Sequence, residues 1–341
     1  MMAVSSLPVL AVEDLHVSFQ TPGGMLHAVD GISFSVPSGK CLGIVGESGC
    51  GKSVAARSIL RLLPSAVTTG RILYHRANEP LPIDLARLGA DSKAMRSIRG
   101  REIAMVFQEP MTALTPVYTV GAQLIEEIRA HAHVSAAEAR AQAITLLARV
   151  GIPDSGRRVD DYPHQLSGGQ RQRVVIALAL ACQPHVIIAD EPTTALDVTI
   201  QAQILRLLRD VQREMQMALV IITHDLAVVA EMADEVIVMY LGQVVERAPA
   251  QAFFANPKHP YAQALTRSII TPATEPQTLL PTIPGSVPNP LYAPSGCRFR
   301  TRCSFVHARC LEEPPTIRVG PEHTAKCWLY DEGDSCPPNL S

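Results

Sequence analysis

Gly46-Glu-Ser-Gly-Cys-Gly-Lys-Ser53 is the stretch on which the reading of this chain turns, because it fits the pattern G-x-x-x-x-G-K-[ST]. The apolar run Cys41-Leu-Gly-Ile-Val45 precedes it and a helix-compatible stretch, Val54 to Leu63, follows. Strand, glycine loop, helix is the order a phosphate-binding loop requires. Gly46, Gly49 and Gly51 let the backbone turn sharply and aim N–H groups inward, those of Glu47, Ser48 and Cys50 included. The helix N-terminus adds partial positive charge at the same point. Lys52 can then reach the β- and γ-phosphates of a nucleotide, and the Ser53 hydroxyl can ligate Mg²⁺. A bound nucleoside triphosphate is expected.

The chain around this loop has 341 residues, enough for two domains or for one large domain with an appendix. Apolar content of 47% and charged content of 18% suit a folded soluble protein. A net charge of −2 offers no electrostatic footprint for nucleic acid. Uninterrupted apolar runs such as Val174 to Cys182 fall well short of the ~18 residues a membrane span needs. No basic region followed by an apolar one opens the chain, so a signal peptide is not expected and a reducing cytoplasm is.

Before the loop, Val9–Val12, Leu15–Phe19 and Ile32–Val36 alternate like strands, separated by turn signals. Phe19 is either a stacking partner for a nucleotide base or a core aromatic. Residues 64–104 read as loops and short elements, and Ile103–Phe107 as a buried strand ending at Gln108. Across 109–165 the composition turns alanine-rich, and Ser135-Ala-Ala-Glu138 is a capping box that opens a helix. Beyond it, a helix over Arg171–Cys182, a strand Val186–Ala189, a helix Thr199–Gln216 and strands Leu219–Thr223 and Val236–Tyr240 alternate, the last closing the sheet. Such alternation predicts a largely parallel sheet with helices on its faces.

Chemistry gathers at the strand ends. The strand Val186–Ala189 runs into Asp190-Glu191, so Asp190 can hold Mg²⁺ through water while Glu191 orients and polarises an attacking water. His224, just past the next strand, is placed to contact a γ-phosphate, and Gln108 to join the Mg²⁺ shell. Leu166-Ser-Gly-Gly-Gln170 is a second anion-binding device: the Ser167 hydroxyl, the Gly168 and Gly169 N–H groups and Gln170 stand at a helix start. One chain thus carries two half-sites, which suits a head-to-tail pair in which each copy caps the other's nucleotide.

Gly46–Ser53, Gln108, Leu166–Gln170, Val186–Glu191, Ala195-Leu-Asp197 and His224 together resemble the complete motif set of an ABC-type ATPase. Within that superfamily the chain is similar to the ATPase subunits of dipeptide and oligopeptide importers. Phe107–Pro116, Tyr162–Gln170 and His259–Leu265 carry that closer likeness over roughly residues 9–330. Thr115 departs from it, the family having Asn there more often. The resemblance implies an α/β ABC ATPase core of largely parallel sheet plus an antiparallel β part over 1–108 and 166–270. It also implies a helical subdomain over 109–165, a proline-rich linker over 271–296 and a cysteine-rich extension over 297–341. It implies ATP and Mg²⁺, a similar but non-identical second ATPase subunit, two membrane-spanning permease subunits and an extracytoplasmic peptide-binding protein. The place it implies is the cytoplasmic face of the membrane, and Ala195–Asp197 would cross the dimer interface. Rival readings are an importer for nickel, glutathione or another small solute, and a soluble ABC protein of repair or translation. Repair would want a long coiled coil, and translation two copies of each motif.

Five of the eight cysteines, Cys297, Cys303, Cys310, Cys327 and Cys336, crowd the last 45 residues. The first four are spaced x5, x6 and x16, irregular for a zinc finger. Four thiolates suit Zn²⁺ or an iron–sulfur cluster. Similar tails in the peptide-importer family look like [4Fe–4S] sites, and Arg298, Arg300, Arg302, Arg309 and Lys326 are expected to balance the cluster's charge. Cys336 is left as a bystander.

Overall fold

The computed structural model describes residues 7–76, 79–194, 196–268 and 282–331. Twelve strands follow one another among them: β1 (Leu10–Thr21), β2 (Gly24–Val36), β3 (Cys41–Val45), β4 (Ala66–Tyr74), β5 (Ile83–Asp84), β6 (Ile103–Val106), β7 (Val186–Asp190), β8 (Ala218–Thr223), β9 (Glu235–Tyr240), β10 (Gln243–Pro249), β11 (Thr316–Gly320) and β12 (His323–Lys326). Two sheets result. The first is antiparallel in the order β2-β1-β4-β5. The second runs β11-β12-β10-β9-β3-β8-β7-β6. Its β6, β7, β8, β3 and β9 are parallel, while β10, β12 and β11 join antiparallel.

The central strands read as unbroken apolar runs because both their faces are covered. Ile187, Ala189, Leu219 and Ile221 point into one core, shared with the helices Val120–His131, Ala136–Arg149, Gly168–Leu180 and Val198–Met215. Their alternates Val186, Ile188, Val220 and Ile222 point into another, shared with the antiparallel sheet and the helix Lys52–Ile59. A third cluster gathers β9 and β10 with Phe253, Tyr261, Phe299, Cys297 and Cys310.

Residues 109–165 are all described and hold the helices Val120–His131, Ala136–Arg149 and Ser155–Arg158 and no strand. The capping box closes as the sequence requires, with Glu138 N–H donating to Ser135 Oγ (3.2 Å) and Ser135 N–H to Glu138 Oε2 (2.8 Å). Among the described residues no helix is long and apolar enough to cross a membrane.

Three features depart from expectation. Residues 64–104, expected to hold loops and short elements, include besides β5 and the helix Lys93–Ile98 a full nine-residue strand, β4. The alternation that would have revealed β4 is broken at Gly70, where φ is +93° and a Cβ would lie 2.2 Å from the Asp14 carbonyl oxygen. A bulge in β1 between Glu13 and His16 faces it. The second departure is that β9 does not close the sheet. β10 follows, and the tail's own hairpin then pairs onto it through Glu246↔Ala325 and Arg247↔Thr324. Third, Leu10–Val12 and Leu15–Phe19 belong to one bulged strand. Of the seven prolines in 271–296, Pro284, Pro288, Pro290 and Pro294 are described and stand in no α-helix or β-strand. The other three, and Cys336, lie outside the described residues.

Candidate functional site

β3 delivers the chain to its glycine loop with every strand residue buried. Two of the loop glycines leave no room for a side chain. A Cβ on Gly46 (φ +156°) would stand 2.3 Å from the Met239 carbonyl oxygen, and one on Gly51 (φ +101°) 2.2 Å from that of Ala28. Lys52, 4% exposed, folds back over the loop and donates from Nζ to the carbonyls of Gly46 (2.8 Å) and Glu47 (3.1 Å). Its ammonium is thereby held where the loop encloses an anion.

Ser53 Oγ donates to Asp190 Oδ1 at 2.8 Å, so the first turn of the helix Lys52–Ile59 meets the end of β7. Asp190 is wholly buried, and burial pushes its carboxyl above the usual range despite the Ser53 hydrogen bond. Its Oδ2 finds no hydrogen-bond partner; Arg57 Nη2 stands 3.9 Å away. A buried carboxylate oxygen left open beside a serine hydroxyl fits a hard divalent cation, which takes oxygen ligands.

Glu191 is held in the left-handed region (φ +49°) with its N–H donating to Ile222 O. That turn away from the strand aims its carboxylate at three donors. Gln108 Nε2 (3.1 Å) and Thr194 Oγ1 (2.8 Å) reach Oε2, and His224 Nδ1 stands 3.3 Å from Oε1. Burial alone would raise the Glu191 carboxyl, but the Thr194 and His224 hydrogen bonds outweigh it and hold the group below its ordinary value. Glu191 is only 13% exposed in its side chain, whereas His224 is 63% exposed. The arrangement sets an ionised acceptor beside an exposed imidazole, as water activation requires.

Gln108, Glu191 and His224 are therefore brought together, and Lys52, Ser53 and Asp190 beside them. Ser167–Gln170 is not. The turn closes on itself as a capping box, Gln170 N–H to Ser167 Oγ (3.3 Å) and Ser167 N–H to Gln170 Oε1 (3.0 Å), with Ser167 and Gly168 exposed. Gly169 is needed for packing, since a Cβ there would meet Ile200 Cγ2 at 2.7 Å. Phe19 lies half-buried on β1 against the second core, paired with Leu26 and Ala66. Ala195 lies outside the described residues, and Asp197 caps the helix Val198–Met215 by accepting from Ile200 N–H.

Thr194 escaped sequence reasoning, although a signal existed. Its N–H bonds back to Glu191 O in a tight turn that brings the side chain three positions on back toward the carboxylate. Arg57 and Tyr261 escaped as well. Tyr261 OH accepts from Glu47 N–H at 2.8 Å, from a helix 214 positions away, and no local pattern announces that contact.

The tail cysteines share one neighbourhood. Cys297 and Cys310 are joined by a backbone hydrogen bond (3.0 Å) and lie in the same apolar cluster. Burial pushes the Cys303 thiol up to about 11 and that of Cys327 to about 12, and at Cys327 the other three sulfurs add to the effect. Yet among the described residues no three His, Cys, Asp or Glu side chains form a group that could hold a metal ion. As they stand, the thiols do not fit a metal. The expected charge balance also differs, because four of the five cations pair with carboxylates, Arg298 with Asp30, Arg302 with Glu47, Arg309 with Asp331 and Lys326 with Glu313, while Arg300 donates to Ser295 O.

Comparison with known proteins agrees with this geometry. Residues 29–194 match the family described as ABC transporter, and residues 245–310 the one described as oligopeptide/dipeptide transporter, C-terminal region. The chain is 49% identical to the dipeptide transport ATP-binding protein of Bacillus subtilis over 329 residues, covering 95% of each chain. It is 48% identical over 326 residues to a protein of Sinorhizobium fredii named "Probable peptide ABC transporter ATP-binding protein", again covering 95% of each. Among solved structures, it resembles a dimeric ATP-binding cassette in a post-hydrolysis state with ADP and phosphate bound. That match has a TM-score of 0.61 and 28% identity, and covers 71% of this chain and 98% of that one.

Proposed function

This chain belongs to the ATP-binding subunits of peptide-importing ABC transporters, and from that premise we propose how its residues turn ATP hydrolysis into uptake. The observation that carries the reading is the cage around Glu191: an ionised carboxylate fixed by Gln108, Thr194 and His224, one residue past the buried Asp190. Lys52, Ser53 and the N–H groups of the loop from Gly46 onward bind the triphosphate. Ser53, Asp190 and Gln108 would hold Mg²⁺, which when bound neutralises charge between the β- and γ-phosphates. Glu191 orients the attacking water and draws its proton, and His224 contacts the γ-phosphate. Phe19 is offered to the base from β1, with a purely core role as the alternative.

The exposed capping box at Ser167–Gln170 is the half-site offered to a partner's nucleotide, and Ala195–Asp197 is the loop that crosses between the two chains. The partner is a second, non-identical ATPase subunit in head-to-tail arrangement. Residues 109–165 and the segment after Gln108 dock on two permease subunits at the cytoplasmic face, and an extracytoplasmic binding protein delivers the solute. Residues 1–108 with 166–270, then 109–165, 271–296 and 297–341, act as core, helical subdomain, linker and extension. For the extension we propose that Cys297, Cys303, Cys310 and Cys327 take up a [4Fe–4S] cluster, with zinc as the alternative. Their shared neighbourhood supports this, and the side chains must close up from where they stand here.

The test is uptake of a labelled dipeptide by vesicles holding the assembled transporter, with ATP inside. Wild type is expected to accumulate it, and the K52A complex to show neither uptake nor tight ATP binding. Uptake of nickel or glutathione in place of dipeptide would reassign the solute while leaving the ATPase intact. Anaerobically purified chain should be brown with about four irons, as Cys₄ clusters are; colourless, metal-free protein would refute the cluster.

A further inference from the structure

The phosphate loop is held from outside by the cysteine-rich tail. Arg302, one residue before Cys303, has a side chain only 4% exposed. Its guanidinium forks onto Glu47 of the glycine loop, 255 positions earlier in the chain. Nη1 donates to Oε2 at 2.6 Å and Nη2 to Oε1 at 3.0 Å. The fork is fixed on its other sides: Nε donates to Pro284 O (2.9 Å), and the guanidinium carbon lies 5.9 Å from the Tyr240 ring centre and 6.0 Å from that of Phe299. Glu47 is gripped at its backbone too, its N–H donating to Tyr261 OH, while its carbonyl accepts from Lys52. A second strut runs nearby. Arg298 donates to Leu241 O and to Asp30, and the adjacent Gly242 N–H donates to Cys50 O, again in the loop.

We propose that Arg302 is a positioning residue of the nucleotide site, holding Glu47 so that the loop keeps its shape and neutralising a carboxylate that would otherwise repel the incoming triphosphate. The inference rests on the ATP-binding reading above. Two effects of the fork follow. Bidentate Arg–carboxylate pairs fix geometry as well as charge, so the Glu47 peptide, and Lys52 bonded to its carbonyl, stay in register. The charge of Glu47 is also cancelled within the loop itself. Removing Arg302 leaves an unpaired negative charge in the loop that must receive another anion. Neutralising Glu47 in the same chain removes that repulsion. A bond that merely anchored the tail would leave nucleotide affinity unchanged when it was cut.

The experiment measures binding of a fluorescent, non-hydrolysable ATP analogue with Mg²⁺ to the full chain, and kcat and KM in the assembled transporter. R302Q should raise Kd and KM for nucleotide about tenfold, within the usual span of coupling between two sites, with kcat at saturation within about twofold of wild type. The E47Q/R302Q double variant should return Kd to within about threefold of wild type. R302Q binding like wild type would overturn the proposal, and so would a double variant as weak as R302Q. Should R302Q fail to fold, R302K keeps the charge without the fork. It should weaken binding by about threefold, and unchanged binding there overturns the proposal. A wild-type chain that does not bind the analogue, or a K52A chain that binds it as well, would instead refute the ATP site itself.

Discussion

Replacing Glu191 by Gln removes a charge and almost nothing else, and so isolates what the carboxylate does. The amide is isosteric, and its remaining carbonyl can still accept from Thr194 or His224. Gln108 Nε2, 3.1 Å away, must turn its own amide to avoid facing a second NH₂ group. The folded state should therefore lose no more than about 1–2 kcal/mol from weakened charge-assisted hydrogen bonds. Nucleotide binding should change little, because Lys52, Ser53 and Asp190 keep their contacts to one another and to the loop. Hydrolysis should change greatly. A positioned general base is worth about 10²–10⁴-fold, which at 1.36 kcal/mol per decade corresponds to a barrier higher by about 3–5 kcal/mol. The assay is phosphate release by the assembled transporter at saturating Mg-ATP, alongside equilibrium ATP binding. The expected result is a Kd within about twofold of wild type and a kcat lower by at least about a hundredfold. A kcat within about tenfold of wild type would refute the assignment of Glu191 as the group that activates water.

Thr194→Val removes one of the hydrogen bonds that hold the Glu191 carboxyl down and leaves burial, its largest influence, to raise it. The carboxylate is then lost at a higher pH as acid is added, so the acid limb of the kcat–pH profile should move up; an unmoved limb would refute the role of Thr194. His259, 1% exposed, is kept neutral by burial, which pushes its pKa from 6.5 down to about 3. Below 6.5 the unfolded chain takes a proton that the native one refuses, so stability should fall by about 1.4 kcal/mol per pH unit as pH drops from 6.5 toward 3. Asn in its place keeps the cap on Tyr261 N–H, and urea unfolding across that window should lose this part of the slope. Glu246→Leu strips the acceptor from the N–H groups of Lys258 and His259 and from His323, and should destabilise the chain by about 3 kcal/mol or more, read as a lower urea midpoint.

What the sequence made legible follows from where each constraint is local. The glycine loop is legible because its backbone has no room for side chains at Gly46 and Gly51, so the spacing itself is the signal. Asp190, Glu191 and His224 are legible because buried parallel strands are continuous apolar runs, and what stands at their ends is conspicuous. β4 was hidden because Gly70 and the bulge opposite it interrupt the alternation by which a strand is recognised. β11 and β12 were hidden for a different reason. Thr-Ile-Arg-Val-Gly and His-Thr-Ala-Lys are short and mixed, and become strands only because β10 offers an unpaired edge.

The tail shows the same limit from the chemical side. Cysteines carry their chemistry in their identity, whereas the arginines between Cys297, Cys303, Cys310 and Cys327 show in the sequence only as counter-charge. In the folded chain Arg302 and Arg298 reach away from the sulfurs, to Glu47 and to the strand turn that backs Cys50. A pairing across 255 positions leaves no periodic trace. It becomes visible only once the sheet carries the tail, through β12 on β10, alongside the strand β9 that borders β3 and its loop. The same sheet that sets Glu191 beside Gln108 and His224 thus also sets the tail beside the phosphate loop. Nucleotide affinity and tail integrity should therefore fall together in variants of Arg302, whereas Glu191→Gln should leave both in place.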